Sequence, residues 1–307
     1  MTLKRTRGPE CRSSPLLFTS RFKELATCQF LLLLNYPRWT PLFFIYALTY
    51  YLGARILPSR MTREIRRSLS RVFGLRLLRL APFERTSFFC DLDSVYIVGS
   101  EYLHGQTTSL LSSDDKLIID LGAHYGILSH KLAWRLTSPA RVIAIEACPP
   151  NYEVLKKNIA LNNLNNISAF NFAVGDHSGN VRMVVDDGVS THYKAVSETE
   201  AYDKALGFSV PCVRLSDLFG ILGIEEVDLM KIDIEGSEAD VLRDSLSTLA
   251  AKVRKLDVEV HRASDVETIA RMLWSVGYEI TVYRAGILSG SHRIHARRRD
   301  KVATVSS

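Results

Sequence analysis

The 307-residue chain is poor in the features that mark a secreted, zinc-stabilised or membrane-spanning protein. Its five cysteines, Cys11, Cys28, Cys90, Cys148 and Cys212, are odd in number, and no two lie two to four residues apart. Thiolate metal sites need that close spacing, and disulfide frameworks use denser, even sets. Five separate thiols in a reducing compartment follow, so a cytoplasmic protein is expected and no metal ligands are assigned. A long apolar run is also missing. The charge-free stretch from Trp39 to Ala54 is 16 residues, short of the roughly 20 that cross a bilayer as a helix. A cleaved leader fits poorly as well, because the apolar run starts late, Glu10 precedes it and no small-residue cleavage site follows.

Charge is present but unevenly placed. Residues 1–80 carry 15 Lys or Arg against 3 Asp or Glu, residues 81–283 carry 18 against 29, and the last 24 carry 6 against 1. An acidic body flanked by basic ends argues against a main groove that holds nucleic acid. The basic ends suit a polyanion or a membrane surface. Within residues 1–80, QFLLLL and PLFFIYALTYYLGA admit two arrangements. One is a helix packed on the body. The other is an interfacial segment with Trp39 and tyrosines at headgroup depth and Arg55, Arg60, Arg63, Arg66, Arg67 and Arg71 facing anionic lipid.

From residue 116 the chain alternates strand and helix patterns. KLIIDLG (116–122), RVIAIEA (141–147), ISAFNFAV (167–174), VDLMKID (227–233), KLDVEVH (255–261) and YEITVY (278–283) read as strands. Helices are expected between most of them, among them one opened by Pro149 and Pro150. Such alternation predicts an α/β fold with a mostly parallel, doubly wound sheet. Ligands of these sheets sit beyond the strands' carboxyl ends, which lines up Asp120–Gly126, Glu146, Asn171–Asp176, Asp233–Glu238 and Glu259–His261.

The loop Asp120-Leu-Gly-Ala-His-Tyr-Gly126 joins the first strand to its helix. Gly122 permits a tight turn and close backbone approach, and Gly126 opens the helix. A dinucleotide site wants G-x-G-x-x-G because the pyrophosphate sits on the helix amino terminus. Here His124 stands where the second glycine belongs, which favours a nucleoside ligand without phosphate. Asp120 can hold the loop or meet a ligand ammonium through water. Glu146 ends the second strand, where an acidic side chain accepts hydrogen bonds from both ribose hydroxyls.

The segments IIDLGAHYG, AIEACPPNYEVLKKNIALNN, FNFAVGDHSG, VDLMKIDIEGSEADVL and DVEVH resemble the FkbM-type methyltransferase family, in that family's order. KIDIEGSE is the most specific of them, and NYPRW is similar to the Asn-aromatic-Pro segment ahead of this domain in many relatives. The resemblance implies a Rossmann-like class I methyltransferase using S-adenosylmethionine, with a helical basic extension over 1–80, the catalytic domain over 81–284 and a basic tail over 285–307. It implies methylation of a hydroxyl on a sugar, glycolipid or secondary metabolite, so the expected partner is a small-molecule or glycan acceptor. Carried over by position, Asp120, Gly122, Ala123, His124, Gly126 and Glu146 would bind cofactor, and Asn171, Phe172, Ala173 and Asp176 would border the adenine. His124 departs from the family's usual asparagine and can reshape the turn; Cys148 stands near a usual proline.

For the chemistry, Asp233 and Glu235 end the fourth strand and are expected to share a side, since i and i+2 point alike in a strand. Paired carboxylates there make a base, hold a cation or bind sugar hydroxyls. Glu238 reads as a helix first-turn acid. His261, two residues after Glu259, is a candidate base held in one tautomer by that neighbour. Three other readings stay open. PPNY (149–152) follows the second strand, whereas a nucleic-acid amino-methyltransferase would carry Asn-Pro-Pro-aromatic after the fourth. An NAD enzyme is disfavoured by His124. A non-catalytic binding protein on the same fold is the third.

Overall fold

The computed structural model describes residues 28–51, 59–80, 85–98, 107–137, 139–185, 193–196, 207–284 and 292–299. Its centre is β3 (Leu117–Leu121), whose five side chains are all buried, as an apolar run covered on both faces must be. β4 (Arg141–Ile145) and β5 (Ile167–Phe170) extend the sheet on one side, and β10 (Val227–Ile232) and β11 (Val253–Val260) on the other, all parallel. Ile118 packs with Leu128 and Leu132 of α5 (Ile127–Arg135) and Leu155 of α6 (Pro149–Leu161). Ile119 packs on the opposite face with Leu218 of α7 (Leu215–Ile221), Leu242 of α8 (Glu238–Lys252) and Leu273 of α9 (Val266–Ser275). The chain leaves β3 toward β4 and returns to lay β10 on its other edge, so the topological switch point lies between β3 and β10.

One strand near the edge of the sheet is an element that the sequence pattern hid. β12 (Tyr278–Arg284) does not pair with β11; β13 (His292–Arg298) lies between them, antiparallel to both. The stretch read as part of a basic tail over 285–307 is therefore a strand of the sheet in its 292–298 portion. Its alternation was masked because Arg293 and His295 are buried among carboxylates. Arg293 lies 3.0 Å from Glu259 and 3.4 Å from Asp257, and His295 lies 3.5 Å from Asp257.

ISAFNFAV also divides. Its second half leaves the main sheet, and β6 (Ala173–Gly175) pairs with β9 (Gly207–Arg214). β7 (Gly179–Val185) and β8 (Tyr193–Val196) complete a second, four-stranded sheet, packed around Val181, Met183, Val210 and Cys212.

The amino-terminal elements share a core with the body. α1 (28–35), α2 (Thr40–Tyr51), α3 (Ser59–Phe73), β1 (Arg76–Arg79), β2 (Ser87–Cys90) and α4 (Leu92–Ile97) bury Leu31, Phe43, Tyr46, Phe73 and Phe88 together with Tyr125, Ile127 and Val154. Asn158 of α6 donates to the Phe89 carbonyl and accepts from its N–H, which ties β2 to the body. β1 and β2 pair antiparallel, so the division expected at residue 80 falls inside a hairpin. NYPRW forms a packed corner: Asn35 exchanges hydrogen bonds with the Arg79 backbone, and Arg76 lies 4.5 Å over the Trp39 ring. Phe44, Ile45 and Leu48 face outward on α2. The Arg55 of the expected basic flank lies outside the described residues, and the side chains of Arg60, Arg63 and Arg67 are likewise outside that description. Among the described residues no helix is long and apolar enough to cross a membrane.

Candidate functional site

Two clusters meet at the switch point. The first is the loop after β3. Gly122 adopts φ +80°, and a Cβ placed on it would stand 1.8 Å from the Asp233 carbonyl oxygen. The Gly122 and Ala123 N–H groups both donate to the Ile145 carbonyl, at 2.9 and 3.0 Å. Gly126, at φ +76°, precedes α5, and a Cβ there would meet Leu155. Asp120 is fully buried and accepts from the Ser129 hydroxyl at 2.5 Å, with Lys231 3.9 Å away. That bond ties the end of β3 to the helix that follows the loop.

Glu146 lies at the end of β4, almost wholly buried. One carboxylate oxygen accepts the His124 N–H at 2.7 Å and the other accepts the Cys148 N–H at 2.8 Å. Burial pushes its pKa up to about 7, against those two amides, while Asp120 adds to the rise. Its grip on the His124 amide accompanies an unusual backbone: His124 is left-handed, at φ +50°, and its ring stacks on Tyr125 at 3.9 Å. A side chain thus occupies the turn without disturbing the amide that Glu146 holds.

Asn171 joins the ends of two strands, its amide donating to the Glu146 and Ala147 carbonyls at 2.8 and 3.1 Å. Phe172 is half-buried beside Phe170, and Ala173 begins β6. Asp176 is exposed and lies 2.7 Å from the His177 ring, which holds its carboxyl below the usual range. Its contacts are with its neighbour and not with the Glu146 cluster.

The second cluster follows β10. The strand stops at Ile232, so Asp233 and Glu235 are not brought together by strand alternation as the sequence suggested. A turn does it, with Glu235 in the left-handed region at φ +56°. Asp233 bonds Lys231 at 2.8 Å, and both Asp233 and Glu235 lie 3.5 Å from His261 Nε2. The other imidazole nitrogen, Nδ1, sits 2.8 Å from Glu238. Glu238 is indeed in the first turn of α8, but it is also the histidine's orienting partner. Glu259, expected in that role, bonds Arg293 instead. Sequence spacing could not find this pair, because it joins a helix start to a strand end 23 residues away.

Burial alone would raise the Asp233 pKa, yet Lys231 and His261 outweigh it and hold this carboxyl low. Burial raises Glu235 to about 8, with Asp233, Glu259 and Glu238 adding to the rise against His261. For His261, burial works downward, but the Glu238 hydrogen bond and the surrounding carboxylates carry it up to about 10. The cluster therefore holds an ionised carboxylate, a proton-avid carboxyl and an imidazole within one reach.

The model of the FkbM methyltransferase domain matches residues 120–280. Among curated proteins, the methyltransferase sdnD of Sordaria araneosa is 29% identical over 196 residues, spanning 55% of this chain and 75% of the relative. The 2-O-methyltransferase NoeI of Sinorhizobium fredii is 24% identical over 159 residues, spanning 48% of this chain and 64% of the relative. Among solved structures, the FkbM methyltransferase of Methylobacillus flagellatus KT is 15% identical with a TM-score of 0.46, covering 85% of this chain and 60% of that one.

Proposed function

Because the chain belongs to the FkbM methyltransferase family and takes S-adenosylmethionine as methyl donor, we propose that it methylates a hydroxyl oxygen on a sugar, glycolipid or secondary metabolite. The observation that carries this reading is the contact at the switch point. The cofactor loop and the Asp233–Glu235–His261 cluster abut there, with Gly122 against the Asp233 carbonyl. Transfer from a sulfonium to a hydroxyl forms an O–CH3 bond, breaks the S–CH3 bond and releases the hydroxyl proton. A cluster with a proton-avid carboxyl suits that last step. Alignment of donor and acceptor supplies much of the rate, and the two clusters are placed for it. The relative named a 2-O-methyltransferase supports oxygen as the atom modified.

In this reading Glu146 accepts a ribose hydroxyl while it holds the His124 and Cys148 amides and the Asn151 side chain, since an ionised carboxylate has about four acceptor positions. Gly122, Ala123, His124 and Gly126 shape the turn beneath the cofactor. Asn171, Phe172 and Ala173 line the adenine side, and Asp176 borders it from the exposed turn.

The acceptor class is tested with methyl-labelled S-adenosylmethionine and separated glycan, glycolipid and small-metabolite fractions. Label should enter a hydroxylated fraction as an alkali-stable ether. Alkali-labile or nitrogen-bound label would overturn the hydroxyl assignment. A pH effect should accompany it. A ribose hydroxyl donates to the ionised form of Glu146, whose raised pKa near 7 removes that form as pH falls. Calorimetry should show affinity about tenfold weaker at pH 6 than at pH 8. Glu146→Gln should bind more weakly throughout and lose this contrast; a retained contrast would assign it to another group.

A further inference from the structure

We propose that Asp233, Glu235 and His261 form a binding site for one divalent cation. Asp233 Oδ1 and Glu235 Oε2 each lie 3.5 Å from His261 Nε2, and one donor atom from each of the three residues falls within 4.8 Å of the others. Both 3.5 Å separations exceed a hydrogen bond. Two ligands held about 2.1 Å from one ion at a tetrahedral angle stand about 3.4 Å apart, close to the distance of each carboxylate from the imidazole here.

Two further observations point the same way. The hydrogen bond from His261 Nδ1 to Glu238 turns Nε2 toward two carboxylates, where a bound cation would take the place of the Nε2 proton. An imidazole whose far nitrogen is held by a carboxylate is also how metal-ligating histidines are oriented. The Glu238 carboxyl is almost wholly buried, and its second oxygen has no hydrogen-bond partner among the described residues. It adds negative charge behind the ring that Lys231, committed to Asp233, does not meet.

Carboxylate oxygens suit Mn2+ and an imidazole nitrogen with tetrahedral spacing suits Zn2+, so the site fits a small divalent ion of this kind, for which Mn2+ is the probe. A protein triad also leaves coordination positions open for an acceptor oxygen. The use of this ion rests on the hydroxyl-methylation reading: a bound hydroxyl would be acidified by the cation and fixed facing the methyl donor.

The test is titration of Mn2+ into the chelator-treated, desalted full-length protein, reading free Mn2+ by electron paramagnetic resonance. One ion per chain should bind, and Asp233→Asn, Glu235→Gln and His261→Gln should each weaken binding at least tenfold. Glu238→Gln should weaken it about tenfold to a hundredfold through the misoriented ring. The exposed Glu267→Gln should leave it unchanged. Each variant's S-adenosylmethionine affinity, measured alongside, reports whether it is folded. Absence of Mn2+ binding with cofactor binding intact overturns the cation site and leaves the methyltransferase reading standing. Equal Mn2+ affinity in the wild type and in any folded triad variant also overturns it, since the ion would then sit elsewhere.

Discussion

Gly122→Ala should be the most disruptive glycine-to-alanine change among the described residues. The added Cβ would stand 1.8 Å from the Asp233 carbonyl oxygen and 3.0 Å from its carbon. Both are backbone atoms that cannot swing aside. The Asp233 N–H also donates to the Leu121 carbonyl at 3.1 Å, so moving Asp233 breaks the seam between β3 and β10. Left-handed backbone costs a non-glycine residue roughly 1–2 kcal/mol, and forced repacking costs about 1–3 more. The expected loss is about 2–5 kcal/mol, read in a denaturant melt. Gly126→Ala should be milder, because its closest clash is a methyl of Leu155 at 2.3 Å, the end of a flexible side chain. Gly122→Ala should also weaken cofactor binding and turnover together, since it displaces both clusters. A variant that melts and binds like the wild type would contradict the abutment on which the proposed chemistry depends.

The second large effect is on turnover. Asp233→Asn removes the charge that pairs with Lys231 and faces His261, and Glu235→Gln removes the proton-avid carboxyl. General-base assistance contributes typically 10²- to 10⁴-fold, so Glu235→Gln should lower kcat by at least a hundredfold, and Asp233→Asn should lower it through loss of the charge that faces His261. Cofactor affinity should change by less than about threefold, because neither side chain belongs to the loop or to Glu146. Single-turnover methyl transfer and calorimetry separate the two quantities. Turnover equal to the wild type in either variant would remove that residue from the chemistry. A parallel loss of affinity would move it to the cofactor side.

The parallel centre of the sheet was legible because β3 and β4 are apolar runs of the kind buried on both faces, and β10 and β11 carry Val and Leu between their charged residues. The loop glycines were legible from their place between strand and helix, and the structure adds why neither admits a side chain. Other parts were not readable for particular reasons. β13 was hidden because Arg293 and His295 occupy buried positions that Asp257 and Glu259, on the adjacent strand but far away in sequence, make tolerable. The second sheet was hidden because β7 and β9 cover a small core, with β9 exposing every side chain from Phe208 to Pro211 except Val210. Asp233, Glu235 and His261 were picked out by residue type and strand-end position, and they do converge. The convergence comes from a left-handed Glu235 and from Glu238 across 23 residues, which no spacing rule encodes.

The most direct measurement is calorimetric titration of the wild-type protein with S-adenosylmethionine and, separately, with NAD. A single S-adenosylmethionine site per chain and no heat from NAD is the predicted result, with His124 in place of the glycine that a pyrophosphate requires. Saturable NAD binding with no binding of S-adenosylmethionine would contradict the account at its base.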